Sequence, residues 1–242
     1  MLPLIRITAE AWLMHLIWSA KCKMRSPKFT LTELLVVTTV ICILAGLIMP
    51  SLAAGINRAK LASCGNNLRN IGQSVILYCS DNSGNIPNIL PGMEQNSIPV
   101  MRLPNNMVLA LGRLMDSYLD NVCIFGCPDS PGCGADEVTK LWNSSAMVWT
   151  AYLYRGQNNM FQSKLNSPEN FSKPYVMDFA CLTNQGEQFA PHSYQFSNLL
   201  FPDCRIETRR NSREPFKLYT AQAARHGEIT PDCTALWQNA DR

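Results

Sequence analysis

The hydrophobic and polar positions of the chain begin with a long apolar run near the N-terminus. No residue between Leu34 and Asn57 carries a charge. A bilayer core of about 30 Å needs roughly 20 helical residues, so this run is long enough to span a membrane. Basic residues lie mainly before it, which favours a cytoplasmic N-terminus and an exported C-terminal part. They are Lys21, Lys23, Arg25 and Lys28 before the run, with Arg58 and Lys60 after it.

An amphipathic helical pattern follows the apolar run. Hydrophobic residues recur there every three or four positions and form one face of a predicted helix. They are Leu61, Cys64, Leu68, Ile71, Val75 and Tyr78. The polar segment 80–85, which contains Gly84, then ends the pattern. We therefore expect one helix of about 50 residues, with a membrane half and an amphipathic half that packs on a head domain.

The remaining segments predict a small head of the α+β class with an antiparallel sheet. Residues 107–119 predict a short amphipathic helix. Residues 146–154 and 175–180 are rich in β-branched and aromatic side chains and predict strands. Residues 194–208 predict a hairpin whose turn lies at 202–203, where Pro and Asp stand together.

Glu33 is an acid placed just before the uncharged run. A carboxylate near a membrane is unfavourable and usually has a partner. A cleaved secretory signal is one interpretation of the segment, but its apolar region normally spans about 7–15 residues, shorter than this run. A plain signal anchor is a second interpretation, and it explains every feature except Glu33.

A third interpretation comes from the residues KFTLTELLVV at 28–37, which resemble the start of type IV pilins and type II secretion pseudopilins. In that family a prepilin peptidase cuts before a Phe, which is then N-methylated. The fifth residue of the mature chain is Glu, and a helix-bending Pro often stands at the twenty-second. Counted from Phe29, these positions are Glu33 and Pro50. Lys28 precedes the cut, where the family usually has Gly.

The resemblance implies how the segment works. Glu33 would pair with the amino-terminal Phe29 of a neighbouring subunit during assembly, and this removes the cost of an unpaired acid. The expected partners are a prepilin peptidase, other pilin or pseudopilin subunits, and the inner membrane. Met24 opens a short basic leader, so residues 1–23 are interpreted as an upstream extension from a misassigned start.

The resulting organisation has four parts. Residues 1–28 are the leader or extension, 29–57 the prepilin-type transmembrane segment, 58–207 the exported head, and 208–242 a polar C-terminal tail. The head also resembles a large bacterial group of pilin-like proteins that carry a Cys-Pro motif and a late His-spacer-Asp-Gly element. Here 123–134 and 191–207 supply those two elements, with Cys204 in place of the Gly.

The chain contains ten cysteines. An even number follows the apolar run, which fits an oxidising, extracytoplasmic compartment. These candidate disulfide cysteines are Cys64, Cys79, Cys123, Cys127, Cys133, Cys181, Cys204 and Cys233. The spacing of Cys123, Cys127 and Cys133 suits either a zinc cluster or disulfides. We favour disulfides, because zinc sites prefer tighter Cys-x2-Cys pairs and the domain is expected outside the cytoplasm.

Catalytic, calcium-binding and nucleic-acid-binding sites have less support in the sequence than disulfides. His192, with Asp178 or Asp203 and a serine, would make a hydrolytic triad on paper, but no Gly-x-Ser-x-Gly elbow is present and no enzyme is predicted. The resemblance makes Asp178 and Asp203 candidate calcium ligands, although no Asp-rich calcium loop occurs. No cofactor is expected. The formal net charge of +3 is spread along the chain, so nucleic-acid binding is not indicated.

These observations predict a pilin-like subunit in the inner membrane with a single span, a cytoplasmic N-terminus and an extracytoplasmic head. Its role would be to assemble into a fibre or a secretion pseudopilus. The alternative is a monomeric, membrane-anchored binding module that uses the pilin-like start only for export. An anchored hydrolase is a poorer third interpretation, because no nucleophile motif is visible.

Overall fold

The structure is a computed structural model. It describes residues 29–89, 97–115, 117–130, 133–156, 162–178, 180–182, 188–189, 192, 195–211, 217–219 and 234–242. The chain divides into two compact units, Met1–Ser51 and Leu52–Arg242. Helix α1 begins in the first unit and ends in the second.

Helix α1 spans Leu31–Asp81 and has 51 residues. Large hydrophobic side chains from Leu31 to Ile56 are exposed, and none of its most apolar stretch is buried within the protein. Among the described residues, α1 is the one helix long and apolar enough to cross a membrane. The expectation of a single membrane-length helix near the N-terminus is confirmed, and it is consistent with single-pass anchoring. Pro50 lies inside the helix, where it removes one backbone donor.

The second half of α1 buries the predicted face. Cys64, Leu68, Ile71 and Val75 are fully buried in the hydrophobic core, while Leu61 and Tyr78 are partly buried. The chain leaves the helix at Gly84, whose φ of 83° lies in the left-handed region that favours glycine. The Gly84 N–H donates to the carbonyl oxygen of Cys79 at 2.7 Å, so the helix ends inside the predicted polar segment.

The head contains a five-stranded antiparallel sheet in the order β1-β2-β3-β6-β7, and a smaller sheet in the order β5-β4-β8. Strand β8 pairs with β4 in parallel. The α+β class and the layout of one long helix with an antiparallel sheet are therefore confirmed, and they are consistent with a pilin-like arrangement. The strands are β1 Ser97–Arg102, β2 Val148–Arg155, β3 Val176–Asp178, β4 Ala180–Leu182, β5 Gln188–Phe189, β6 Phe196–Leu200, β7 Ile206–Arg210 and β8 Lys217–Tyr219.

Two strand predictions and the hairpin are confirmed. The predicted strand 146–154 is β2, and the segment 175–180 supplies β3 and the start of β4. The hairpin is β6 and β7, paired from Phe196 with Arg210 to Leu200 with Ile206.

The predicted helix at 107–119 is wrong. The structure has a short 3-10 helix, Ala110–Leu114, in which Ala110, Leu111 and Leu114 are all buried. An amphipathic helix keeps one face in water, whereas this segment is buried except at Arg113 and forms a tighter 3-10 turn instead. Among the described residues, two α-helices were not anticipated, α2 at Ala135–Trp142 and α3 at Thr234–Ala240.

Candidate functional site

Thr30 and Glu33 cap the N-terminal end of α1 through reciprocal hydrogen bonds. The backbone N–H of Glu33 donates to Thr30 Oγ1 at 3.2 Å, and the backbone N–H of Thr30 donates to Glu33 Oε2 at 2.8 Å. The Thr30 hydroxyl also donates to Oε2 at 2.7 Å. This is a capping box, which satisfies two amides that a helix start leaves without partners.

The capping box gives Glu33 a role inside its own chain that the sequence analysis did not consider. The spacing Thr-x-x-Glu was visible in the sequence and is the usual signature of this motif. Phe29 and Glu33 are both exposed in the structure, and Pro50 lies in the apolar part of α1. Lys28 lies outside the described residues. Phe29 and Glu33 are therefore accessible at the start of the helix.

A second candidate site lies in the core of the head, where three distant segments meet His192. Helix α1 contributes Cys64, the segment after the 3-10 helix Val122–Phe125 contributes Cys127, and the end of β3 contributes Asp178. The two sulfur atoms are 2.7 Å apart, with Cys64 donating to Cys127. His192 Nε2 lies 3.9 Å from Cys127 Sγ. Among the described residues, Cys64, Cys127 and His192 form a group that could hold a metal ion.

Asp178 and Asn198 anchor the histidine side of this cluster. Asp178 Oδ2 lies 3.2 Å from His192 Nε2 and accepts a hydrogen bond from Asn198 Nδ2 at 2.9 Å. Asp178 Oδ1 accepts from the backbone N–H of Asn198 at 2.5 Å. On the other side, Asp129 Oδ2 lies 3.8 Å from His192 Nδ1. His192 is therefore flanked by two carboxylates and fixed by strands β3 and β6.

The surroundings of the two thiols shift their pKa values in opposite directions. The hydrogen bond from Cys64 and the nearby His192 outweigh burial and lower the pKa of Cys127 to about 6. The hydrogen bond to Cys127 and burial raise the pKa of Cys64 far above its usual range. Burial lowers the pKa of His192, but the hydrogen bonds to Asp178 and Cys127 more than compensate and raise it to about 10. The favoured state at neutral pH is a Cys127 thiolate beside a charged His192.

The geometry does not match that of a hydrolytic triad. In such a triad the nucleophile and the orienting carboxylate face different nitrogens of the histidine ring. Here Cys127 and Asp178 both face Nε2 of His192. Both sulfur atoms also belong to side chains that are 0% exposed. This arrangement can support proton sharing, thiol oxidation or metal binding.

The other predicted site residues are dispersed. Asp203 is half-exposed at the turn before β7, where its Oδ1 accepts from the Arg205 N–H at 3.1 Å, and it is not part of the cluster around Asp178. Cys123 Sγ lies 3.2 Å from Thr139 Oγ1, not beside Cys127. Cys79 and Cys133 are buried, and Cys204 is half-buried. The side chain of Cys181 and the whole of Cys233 lie outside the described part of the chain.

Comparison with protein-family models, curated proteins and solved structures finds no match to this chain. The resemblance to pilins therefore rests on the residues at 28–37 and on the layout of the fold. What the structure shows is the coarser feature, a long N-terminal apolar helix followed by an antiparallel sheet.

Proposed function

We propose that this protein is a pilin-like subunit that is anchored in the inner membrane by α1, processed before Phe29, and assembled with other subunits through that helix. The observation that carries the proposal is the apolar half of α1, whose large side chains are exposed from Leu31 to Ile56. An exposed apolar surface of this size requires lipid or neighbouring helices around it. A subunit that moves from the membrane into a helical bundle meets this requirement, because lipid surrounds the helix first and neighbouring helices surround it afterwards.

The hydrogen bonds at the start of α1 leave Glu33 able to act in assembly as well as in capping the helix. Both hydrogen bonds from Thr30 go to Oε2 of the carboxylate. Among the described residues, no hydrogen bond reaches Oε1, and the side chain is exposed. A neighbouring subunit's amino group could therefore pair with this carboxylate without breaking the cap. Such a pair would set the axial position of one subunit against the next.

Two substitutions at Glu33 separate capping from pairing. Glu33→Gln keeps a side-chain oxygen for the cap but removes the charge, whereas Glu33→Val removes both. We expect both variants to reach the membrane and both to lose association between copies. The measurement is co-purification of differently tagged full-length copies from detergent-solubilised native membranes. Normal association of Glu33→Gln would show that Glu33 acts as a cap and not as a pairing group.

N-terminal peptide mass spectrometry of each preparation serves as the control. A chain that begins at N-methylated Phe29 in all three proteins shows that lost association does not result from failed processing. A wild-type chain that still carries residues 24–28 contradicts the proposal. The monomeric anchored binding module would then become the better description.

A further inference from the structure

We infer that Cys64 and Cys127 form a disulfide bond that fastens the amphipathic part of α1 to the 126–130 segment of the head. The two sulfurs already lie 2.7 Å apart, although the residues are 63 positions apart in sequence. A disulfide needs a separation of about 2.05 Å. Two thiolates on one tetrahedral zinc ion, with Zn–S distances of about 2.3 Å, lie roughly 3.8 Å from each other. The sulfurs must therefore move less to bond than to admit an ion between them.

Contacts on both sides of the pair hold the two segments in this position. Lys60, one turn before Cys64, places its Nζ 2.6 Å from Asp129 Oδ1. Asn67, about one turn after Cys64, donates through Nδ2 to the carbonyl oxygen of Gly126 at 3.2 Å. The helix and the segment that carries Cys127 are thus joined above and below the sulfurs. Bond formation would fix an approach that the fold has already made.

The surroundings of Cys127 also assign the order in which the two thiols react. The Cys127 thiolate attacks one sulfur of an oxidant that is itself a disulfide, and one thiolate of that oxidant leaves. Cys64 then loses its proton and attacks Cys127 in the mixed disulfide, and the second thiol of the oxidant leaves. The two cysteines give up two electrons and Cys64 gives up one proton, while the first leaving thiolate takes its proton from solvent, so the oxidant is reduced to two thiols. His192 is a positioning residue in this step, since its ring lies beside the attacking sulfur.

The oxidising compartment is the only part of this inference that rests on the proposed function. An exported head meets disulfide oxidants as it folds, whereas a cytoplasmic head does not. Once closed, the bond lies among side chains that are 0% exposed. Reductants in solution would reach it only after the head opens, so the bond is expected to persist.

Peptide mapping of the full-length protein from native membranes tests the inference. After alkylation and trypsin digestion without reductant, we expect the peptide 61–69 to be linked to the peptide 114–140. The second peptide contains three cysteines, so matched variants identify the partner. Cys127→Ala should abolish the link, while Cys123→Ala and Cys133→Ala should keep it. A link that survives Cys127→Ala overturns the inference, and so does alkylation of both Cys64 and Cys127 in the wild type that persists after exposure to a disulfide oxidant.

Two further measurements distinguish the alternatives. Stoichiometric zinc in protein purified without chelators, together with alkylatable Cys64 and Cys127 after denaturation, would establish a metal site and overturn the bond. Cys64→Ala should lower the midpoint of thermal unfolding by about 10 °C, because the bond closes a long loop, and Cys123→Ala should change it much less. The link mapped in the wild type does not depend on whether either variant folds.

The oxidant can be supplied directly to separate this inference from the proposed function. Because both sulfurs are 0% exposed in the folded head, reduced, purified protein is refolded from denaturant in the presence of oxidised glutathione, and we expect the same 61–69 link to form. Formation in solution from a chain that is reduced in the native membrane would confirm the geometry and contradict the exported location. Absence of the link under both conditions would overturn the inference and leave the assembly experiment at Glu33 unaffected.

Discussion

His192 is the residue that brings the charged groups of the head together. Its ring lies between Asp178 on β3 and Asp129 before α2, and Cys127 faces the same ring. Its backbone φ of 56° is in the left-handed region, which costs energy for a residue with a side chain. The surrounding contacts must therefore outweigh that cost. A cationic imidazolium between two carboxylates provides such contacts.

The pKa of His192, raised to about 10, makes the stability of the head depend on pH. A raised pKa means that the folded state holds the proton more tightly, so the contribution is complete below about pH 6.5, the ordinary value. It declines as the pH rises and is lost as the pH passes about 10. We expect the difference in unfolding free energy between the wild type and His192→Gln to shrink over that range, measured by denaturant unfolding at a series of pH values.

The comparison is made on the reduced protein, because the Cys127 thiolate also faces the ring and contributes to the raised pKa of His192. Asp178→Asn gives a matched test, since it keeps the shape but removes the main partner of the imidazolium. The same pH dependence should be weaker in that variant. A difference between the wild type and His192→Gln that is independent of pH would mean that His192 is neutral in the folded head.

Single residues were the hardest feature to predict from the sequence. His192, Asp178 and Cys64 come from separate segments, and their meeting depends on strand order, which periodicity does not specify. The local spacing of Cys123, Cys127 and Cys133 directed attention to near neighbours, whereas the sulfur beside Cys127 belongs to Cys64. The capping box of Thr30 and Glu33 is different, because the Thr-x-x-Glu spacing is visible in the sequence. It was simply not interpreted as a helix cap.

Helix α1 packs tightly against the β6–β7 hairpin at Gly72. A Cβ atom there would lie 3.0 Å from both Leu200 Cδ1 and Cys204 Sγ. Gly65, two turns earlier, is less crowded, since its added Cβ would lie 3.8 Å from Ile206 Cγ2. The sequence alone does not distinguish the two positions, because both glycines look equally unfavourable in a helix. Close packing explains Gly72 and leaves Gly65 open to substitution.

Alanine substitutions at the two glycines should therefore have opposite effects. Gly65→Ala should raise the unfolding free energy by up to about 1 kcal/mol, because alanine is the better helix former. Gly72→Ala should lower it by about 1 kcal/mol, because the crowding at Leu200 and Cys204 outweighs the helix propensity. Thermal unfolding of the two variants beside the wild type is the measurement. Equal stabilisation by both substitutions would show that the hairpin yields without cost.

For helices and strands, the sequence was informative where one face of the element is buried and the other is exposed. The stripe of α1 shows the periodicity that one buried face imposes. Strands β2 and β6 are buried along most of their length, so β-branched and aromatic residues and the turn at 202–203 indicated them instead. The 3-10 helix Ala110–Leu114 is buried except at Arg113, so the apolar residues there do not report a helical face. Helix α3 lies in a segment without an apolar pattern, and its packing depends on a long-range contact.

That contact joins the C-terminus to the centre of the head. Arg155 at the end of β2 is fully buried and donates through Nη1 and Nη2 to the two carboxylate oxygens of Asp241, at 2.8 and 3.0 Å. Its guanidinium also lies 4.9 Å from the ring centre of Trp237. The C-terminal residues thus form part of the folded unit Leu52–Arg242 and are not only a polar extension.

Removal of the carboxylate should destabilise the whole head. Asp241→Ala leaves the buried charge of Arg155 without this partner, and we expect a loss of about 3 kcal/mol in unfolding free energy. Asp120→Ala, at an exposed acid, is the matched control and should change it by less than about 0.5 kcal/mol. Denaturant unfolding monitored by tryptophan fluorescence measures both. Equal effects of the two substitutions would mean that the C-terminus adds nothing to the fold.

The strand order also bears on how many copies of this head behave when they are crowded together. Within the described part of the chain, β1 and β7 are the two edges of the large sheet. Strand β1 contains Pro99, which has no amide hydrogen to offer, and β7 carries Glu207, Arg209 and Arg210. Proline and charge are the features by which edge strands resist cross-chain pairing and aggregation. Copies at high local concentration would therefore stay separate along their sheet edges, and growth of an assembly would be left to the helices.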